Sequence, residues 1–553
     1  VRSAVSYSAI LCIVATVVMA APLASPRFGL LDDGVTIAVS RDLLRSLQEG
    51  RYGSLLTLET DRGRLRPLSF LYYAAQYAAW DASPVAFFVI QWLSLIVTSL
   101  LILGIATTAT GNQLVGLLSG VAYILSGPVI ESYYTLSKGE PPLVLWLALS
   151  VLFLTASVKA IGCSRRRVTC LFGASLPSLA FAYFTKETAH AMVLVSGLWM
   201  AAAIFHERRR LARPISRLAA AYFAANLAVA AGYWGMRVLS RTSTVATGSN
   251  SAQYVLAPSA MLDSLSRHLI WYVRDFPFLV PLLVFVAAVY LASRKADLGR
   301  EWNVVLGCVI WIAGWTAIML PWATTLEYYL LPAALGTAIL TGVGLSAVVQ
   351  QLRGGSAAAK AGSGVVLVLV LCLGLITLAN GATNGRIQVT VDLANSRLID
   401  YLAQTVPQDG SVLVYSHGPS EYVFEMGLHL ALLKGRGDIT IGYLGDSDLA
   451  DSSEAFIVIP FVKNQPLPSV RLGVWEGDVA GDRPELLKSL GGSWKLAWRG
   501  VGQVSLFIVS LERPICQALL DIEGDGQGVG WCRFGRPSID TRVFEYGWEV
   551  YKI

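Results

Sequence analysis

The chain has 553 residues, of which 54% are hydrophobic and 14% charged, with a mean hydropathy of +0.56. That length exceeds one ordinary soluble core, and soluble domains carry roughly 25% charged residues, so the composition excludes a water-soluble globular enzyme. The net charge of +6 is spread through short loops, which marks membrane topology and excludes a nucleic-acid-binding footprint.

Residues 5–24 are apolar and follow Arg2. Ala21-Pro22-Leu23-Ala24 offers small residues near a signal-cleavage position, but the many spans that follow favour an uncleaved anchor. On either reading residues 25–83 form an exported loop. It holds Asp32-Asp33, a helix expected over 35–48 with Arg41-Asp42 and Arg45, and an amphipathic helix over 67–80. Tyr72, Tyr73, Tyr77 and Trp80 suit a headgroup boundary.

Ten further segments read as spans: 84–109, 113–130, 141–160, 168–185, 188–205, 216–237, 276–293, 303–320, 328–350 and 363–381. Backbone groups in lipid must be satisfied internally, so these are helices. With the N-terminus inside, the cytoplasmic loops carry Arg165-Arg166-Arg167, then Arg208-Arg209-Arg210 with Arg213 and Arg217. Arg294, Lys295 and Arg300 follow, and finally Arg353 and Lys360. The short outside loops offer only Lys138 and Lys186, in accord with the positive-inside rule. About eleven spans then leave the C-terminus outside.

From 385 the pattern changes to alternating helix and strand. A helix is expected over 395–406 and another over 421–434, with strands over 411–415, 439–444, 455–460 and 504–511. These define an extracytoplasmic α/β domain at 385–553, after a membrane module at 1–384. Cys516 and Cys532 lie in this domain, where one disulfide and two separate thiols are both open. The expected fold class is therefore a polytopic α-helical membrane protein of about eleven spans with a C-terminal exported α/β domain.

Several polar groups in the exported loops have types suited to chemistry. Adjacent carboxylates such as Asp32-Asp33 can serve as general base, metal ligand or proton-sharing pair, and an Asp before a helix is also a common N-cap. Arg62, Arg64 and Arg66 precede Pro67, where arginines can grip a phosphate in fork geometry or snorkel to headgroups. Glu131 is an acidic residue at lipid depth, and Glu140 precedes Pro141-Pro142 at a helix start that favours an anion. Lys186-Glu187 forms a tight turn between two spans. Arg267, His268 and Arg274 lie with Trp271, Tyr272 and Asp275 at the end of a long loop, and Glu327-Tyr328-Tyr329 opens the span at 328–350. No nucleotide-phosphate loop, HExxH, GxSxG or CxxC pair occurs, which excludes an ATP-driven pump of the Walker type.

Taken in order, these motifs resemble the GT-C superfamily of integral-membrane glycosyltransferases, in its protein O-mannosyltransferase and aminoarabinose-transferase branch. The acidic pair in the first exported loop resembles Asp32-Asp33. A Lys-Pro-Pro-Leu-type motif resembles Arg66-Pro67-Leu68 with Tyr72 and Tyr73, and an acidic residue before the fourth span resembles Glu140-Pro141-Pro142-Leu143. A Thr-Lys-Gly-type turn resembles Thr185-Lys186-Glu187, and a Tyr-Leu-Leu-Pro motif matches Tyr329-Leu330-Leu331-Pro332. The departures are Arg66 where Lys is frequent, Glu187 where Gly is usual, and Glu327 where relatives are basic or neutral.

The resemblance implies a polyprenyl-phosphate-linked sugar as donor and a glycan, lipid or protein hydroxyl as acceptor, at a membrane-lipid boundary and with no nucleic-acid partner. It implies Asp32 or Asp33 as base, with Asp32 favoured, and Glu140 as an acceptor or metal contact. Arg64, Arg66, Lys186, Arg267 and Arg274 are implied as phosphate ligands, with His268, Glu187 and Tyr329 beside them. A divalent metal stays open, as do a transporter or flippase and a non-catalytic scaffold. Charges at loop ends and the lack of an internal repeat weigh against transport.

Overall fold

The computed structural model describes residues 2–30, 33–57, 65–207, 213–240, 255–292, 299–322, 327–415, 421–443, 455–463, 494–505, 508–510 and 538–552. Asp32, Arg62, Arg64, Cys516 and Cys532 lie outside the described residues.

The chain enters through α1 (Arg2–Val18) and the short α2 (Ala20–Ala24), and the first loop forms α3 (Asp33–Gln48), α4 (Ser54–Thr57) and α5 (Pro67–Trp80). The bundle continues with α6 (Pro84–Thr110), α7 (Gln113–Ile124), α8 (Gly127–Tyr134), α9 (Glu140–Ala160) and α10 (Arg165–Thr185). Next come α11 (Ala191–Glu207), α12 (Arg213–Leu239), α13 (Pro258–Asp275), α14 (Leu279–Ala292), α15 (Gly299–Met319), α16 (Leu331–Gly354) and α17 (Ala357–Thr405). A proline stands in the first turn of α5, α6, α8, α9, α13 and α16, where its missing N–H costs nothing and its fixed φ suits a helix. Gly111, at φ 80°, ends α6 in the left-handed conformation.

Among the described residues, eight helices are long and apolar enough to cross a membrane, or up to ten if each bent pair is one span; α1 is a shorter apolar helix. The described residues of each segment expected as a span are mainly helical. The segment expected over 113–130 is broken, however: α7 and α8 meet at 56°. The signal was Ser126-Gly127-Pro128, which caps and starts a new helix. α16 forms the centre, with 83% of its most apolar window buried, whereas the corresponding window of α17 is 17% buried. Its small residues allow this: a Cβ on Gly342 would run into the Val115 carbonyl of α7.

α17 has 49 residues, about 70 Å at ~1.5 Å per residue, against an apolar core of about 30 Å. Its apolar first half is long enough to cross such a core, and its second half becomes the spine of the C-terminal unit. β1 (Ser411–Val414), α18 (Glu421–Lys434), β2 (Thr440–Tyr443), β3 (Ala455–Lys463), β4 (Lys495–Ser505), β5 (Ile508–Ser510), β6 (Ser538–Asp540) and β7 (Val543–Lys552) follow. The main sheet runs β2-β1-β3-β7-β4, with β1 parallel to both β2 and β3, and β7 antiparallel to β3 and β4. Ile387, Val391, Leu398 and Leu402 of α17 share one core with Val412, Met426, Phe456 and Trp548, and Leu30 of the first loop belongs to it. The helix thus ties the bundle, the first loop and the sheet together at one end of the molecule.

Candidate active site

The first loop is pinned by its apolar residues. Phe28 packs edge-on against Phe87 of α6, with centroids 5.6 Å apart, and Leu30 enters the C-terminal core. Gly29 lies between them, and its N–H donates to Asp33 Oδ2 at 2.7 Å. A Cβ on Gly29 would fall 3.2 Å from Asp392 Oδ1 and 3.4 Å from Asp33 Oδ2, so a carboxylate from the spine helix α17 and one from the loop approach the same point. Asp33 is the first residue of α3 and 3% exposed, and the helix N-terminus favours its charge. Burial, then the Asp33 charge, holds the Asp392 carboxyl well above the ordinary carboxylate range, against the Gln388 amide that donates to it at 3.0 Å.

α18 closes this corner from the C-terminal unit. Glu425 Oε1 accepts the Val35 N–H at 3.3 Å, supplying an acceptor to the first turn of α3 from 390 residues away. Gly34 has no side chain, and a Cβ there would strike the Glu425 carboxylate and lie 2.9 Å from His429 Cδ2. His429 Nε2 stands 3.8 Å from Glu425 Oε2. Burial pushes this imidazole down to about 4, so it is neutral at physiological pH. Asp392, Glu425 and His429 went unread in the sequence, because each is a single polar residue within an otherwise ordinary helical pattern.

A second group collects where α5, α9, α10 and α16 meet. Lys186 caps the C-terminus of α10 and forms a buried ion pair with Glu140, the first residue of α9. Lys186 Nζ lies 4.7 Å from the centroid of the Tyr329 ring, and Lys138 Nζ 4.5 Å from that of Tyr328. Such contacts hold cations without consuming their charge. Tyr73 of α5 donates its hydroxyl to the Lys138 carbonyl at 2.8 Å. Arg66, at the start of α5, rests on Phe70 and is within electrostatic reach of Lys186. Burial lowers the Lys186 pKa first, Arg66 acts in the same direction, and Glu140 and Glu187 oppose both.

The structure therefore brings together Arg66, Glu140, Lys186, Glu187 and Tyr329 from the expected set, with Asp33 linked through Tyr73, whose phenol senses Asp33, Glu140 and Arg66 together. It adds Lys138, Tyr73 and Tyr328. It also adds His190, edge-on to Tyr233 at 5.0 Å, with Arg237 within electrostatic reach of both.

The residues of α13 are disposed differently. Arg267 pairs with Asp263 one turn earlier on its own helix, and His268 donates Nδ1–H to the Ser264 carbonyl at 2.7 Å. Arg274 is engaged by Asp275 through two bonds, at 2.9 and 3.1 Å. Among the described residues no three His, Cys, Asp or Glu side chains form a metal-binding group, so the open question of a divalent metal finds no ligand set there.

No family model matches the chain, and no curated protein matches it in sequence. Its architecture is similar to a crystal structure of ArnT from Cupriavidus metallidurans bound to undecaprenyl phosphate. The TM-score is 0.50 and the identity 13%, over 90% of this chain and 96% of that one. The apo state of that protein gives 0.49 at 12% identity, over 83% and 93% of the two chains. The Archaeoglobus fulgidus oligosaccharyltransferase in complex with Zn and sulfate gives 0.46 at 9%, over 99% and 88%. At these identities the likeness is one of fold alone: the chain shares the overall architecture of that undecaprenyl-phosphate-bound ArnT structure.

Proposed function

We propose that the protein transfers a sugar from a polyprenyl-phosphate donor to an acceptor hydroxyl at the end of the bundle that carries the C-terminal unit, and that this end faces away from the cytoplasm. The observation that carries the reading is the cluster of Arg66, Lys138 and Lys186 with Tyr328 and Tyr329, standing at the same end as the acidic loop. The ArnT of similar fold was crystallised with undecaprenyl phosphate, and a lipid phosphate is the ligand that one buried and two half-buried cations at a membrane boundary suit.

In this mechanism a carboxylate of the acidic loop, Asp32 with Asp33 beside it, takes the proton from the acceptor hydroxyl. The oxygen attacks the anomeric carbon as the bond from that carbon to the phosphate oxygen breaks and its electron pair passes to the phosphate. A single displacement inverts the anomeric centre. The leaving phosphate gains charge, which the preorganised cations stabilise in a site poor in water. Lys186 gains most from that charge, because burial has already weakened its hold on its proton. Asp33, bonded to Gly29, orients the loop, and Glu140 keeps Lys186 in place before the donor arrives.

The test is turnover by the purified protein in lipid nanodiscs, supplied with polyprenyl-phosphate sugars extracted from the source membranes and read as polyprenyl phosphate released. The reading expects Asp32→Asn, Asp33→Asn or their combination to cut turnover by about a hundredfold or more, the range of a general base. Unmodified turnover in the double variant contradicts it.

A further inference from the structure

The outer half of α17 carries two neighbouring lines of residues. Gly381 and Gly385 face α8, where a Cβ would strike Ile130 or Tyr134. Asn380, Asn384 and Gln388 run beside them at a spacing of four residues, on one face of the helix. These three amides, with Glu131 of α8 and the Arg274–Asp275 pair of α13, wall a cleft that is partly open to solvent. The glycines bring α8 close, and the amides leave the wall polar.

The charge of this cleft sets it apart from the Lys138–Lys186 cluster. Arg274 is its only cationic lining residue among those described, and the Asp275 carboxylate holds it in a fork with both side chains buried. Asp275 also lies against the start of α8, 2.6 Å from where a Cβ on Gly127 would be. The guanidinium charge is thus balanced within the wall. The other polar side chains lining the cleft are the three carboxamides, a group type that both donates and accepts, and the Glu131 carboxylate. Sugar hydroxyls likewise donate and accept, so the two sets are complementary. At one end Gln388 donates to Asp392, which approaches Asp33 at Gly29, so the cleft ends at the acidic loop.

We infer that this cleft is a sugar-binding site that takes an uncharged, polyhydroxylated ring and holds it beside the acidic loop. The ring belongs either to the donor or to an acceptor glycan, and the inference rests on the transferase reading above for its place in the reaction.

The experiment uses the full-length protein in nanodiscs with Asn380→Ala/Asn384→Ala and, as a near-isosteric change, Asn384→Asp. Two quantities are read: affinity for sugar-free polyprenyl phosphate, and KM for extracted donor and acceptor, each varied with the other fixed. Both variants are expected to keep polyprenyl-phosphate affinity within about twofold and to raise one KM about tenfold, in line with one or two lost hydrogen bonds. A raised donor KM assigns the donor sugar, and a raised acceptor KM assigns the acceptor glycan. Both KM values unchanged, or phosphate affinity falling as far as KM rises, overturns the site.

A second measurement does not depend on turnover. Asn384→Cys is labelled with maleimide, read at its own peptide, in the presence of a panel of methyl glycosides or of inorganic phosphate. Slowing by a glycoside and not by phosphate supports the site even if the unmodified protein shows no transfer, in which case only the transferase reading falls. No slowing by any glycoside, without turnover, overturns both.

Discussion

His429 is the residue whose ionisation most directly reports the state of the corner built on Gly29 and Gly34. It faces Glu425 on its own helix, Lys434 lowers it further, and the Gly29 backbone opposes. Burial is the leading cause that pushes it down to about 4, while an ordinary histidine titrates near ~6.5. Between those values the unfolded chain binds the extra proton. Stability from this site is therefore full above about pH 6.5 and falls as pH drops toward about 4. Thermal unfolding measured from pH 7.5 to 4.5 is expected to show that slope, and His429→Gln to flatten it; an identical slope in the variant contradicts the assignment. At this scale the sequence was only partly legible. Lys186 and Glu140 could be named because each adjoins a span end, and the structure pairs them. Asp392 and Glu425 could not, because only folding brings them to the acidic loop from 359 and 390 residues away.

Among the elements, α17 departs furthest from its expected form. Its sequence reads as a span that stops near 381 and a separate helix from 395, because Asn380, Asn384 and Gln388 interrupt the apolar run. Hydropathy reports contact with lipid, whereas the helix itself is set by backbone hydrogen bonds that amides on one face leave intact. Its glycines show what the packing demands. Gly→Ala within a helix gains roughly 0.5–1 kcal/mol from chain entropy, but overpacking costs roughly 1–3 kcal/mol. A Cβ on Gly385 strikes the Tyr134 ring, while one on Gly374 meets nothing within 4 Å. Gly385→Ala is therefore expected to lower the unfolding temperature and Gly374→Ala to hold or raise it. A Gly385→Ala protein as stable as the parent contradicts the close α8–α17 approach. β7 and all but the end of β4 also escaped the sequence reading. Gly500, Gly502 and Gly547 interrupt their pattern, and Gly547 lies against the Gly500 carbonyl, where no side chain fits.

At the scale of the molecule, fold class was the most legible property, because lipid-facing helices declare themselves by composition over some twenty residues at a time. The bundle follows from that, and the central place of α16 from small residues at its tight crossings. What composition could not convey is that α17 joins the two parts through one shared core, so that α18 reaches the first turn of α3. The C-terminal unit is thereby part of the wall around the acidic loop. The central claim is that the Lys138–Lys186 cluster receives a lipid phosphate, and a structure of the protein in nanodiscs with bound polyprenyl phosphate tests it most directly. The account predicts the phosphate within about 3 Å of the Lys138 or Lys186 Nζ, with the chain of the lipid running between spans. A phosphate bound instead at Arg274, in the cleft lined by Asn380 and Asn384, would contradict it.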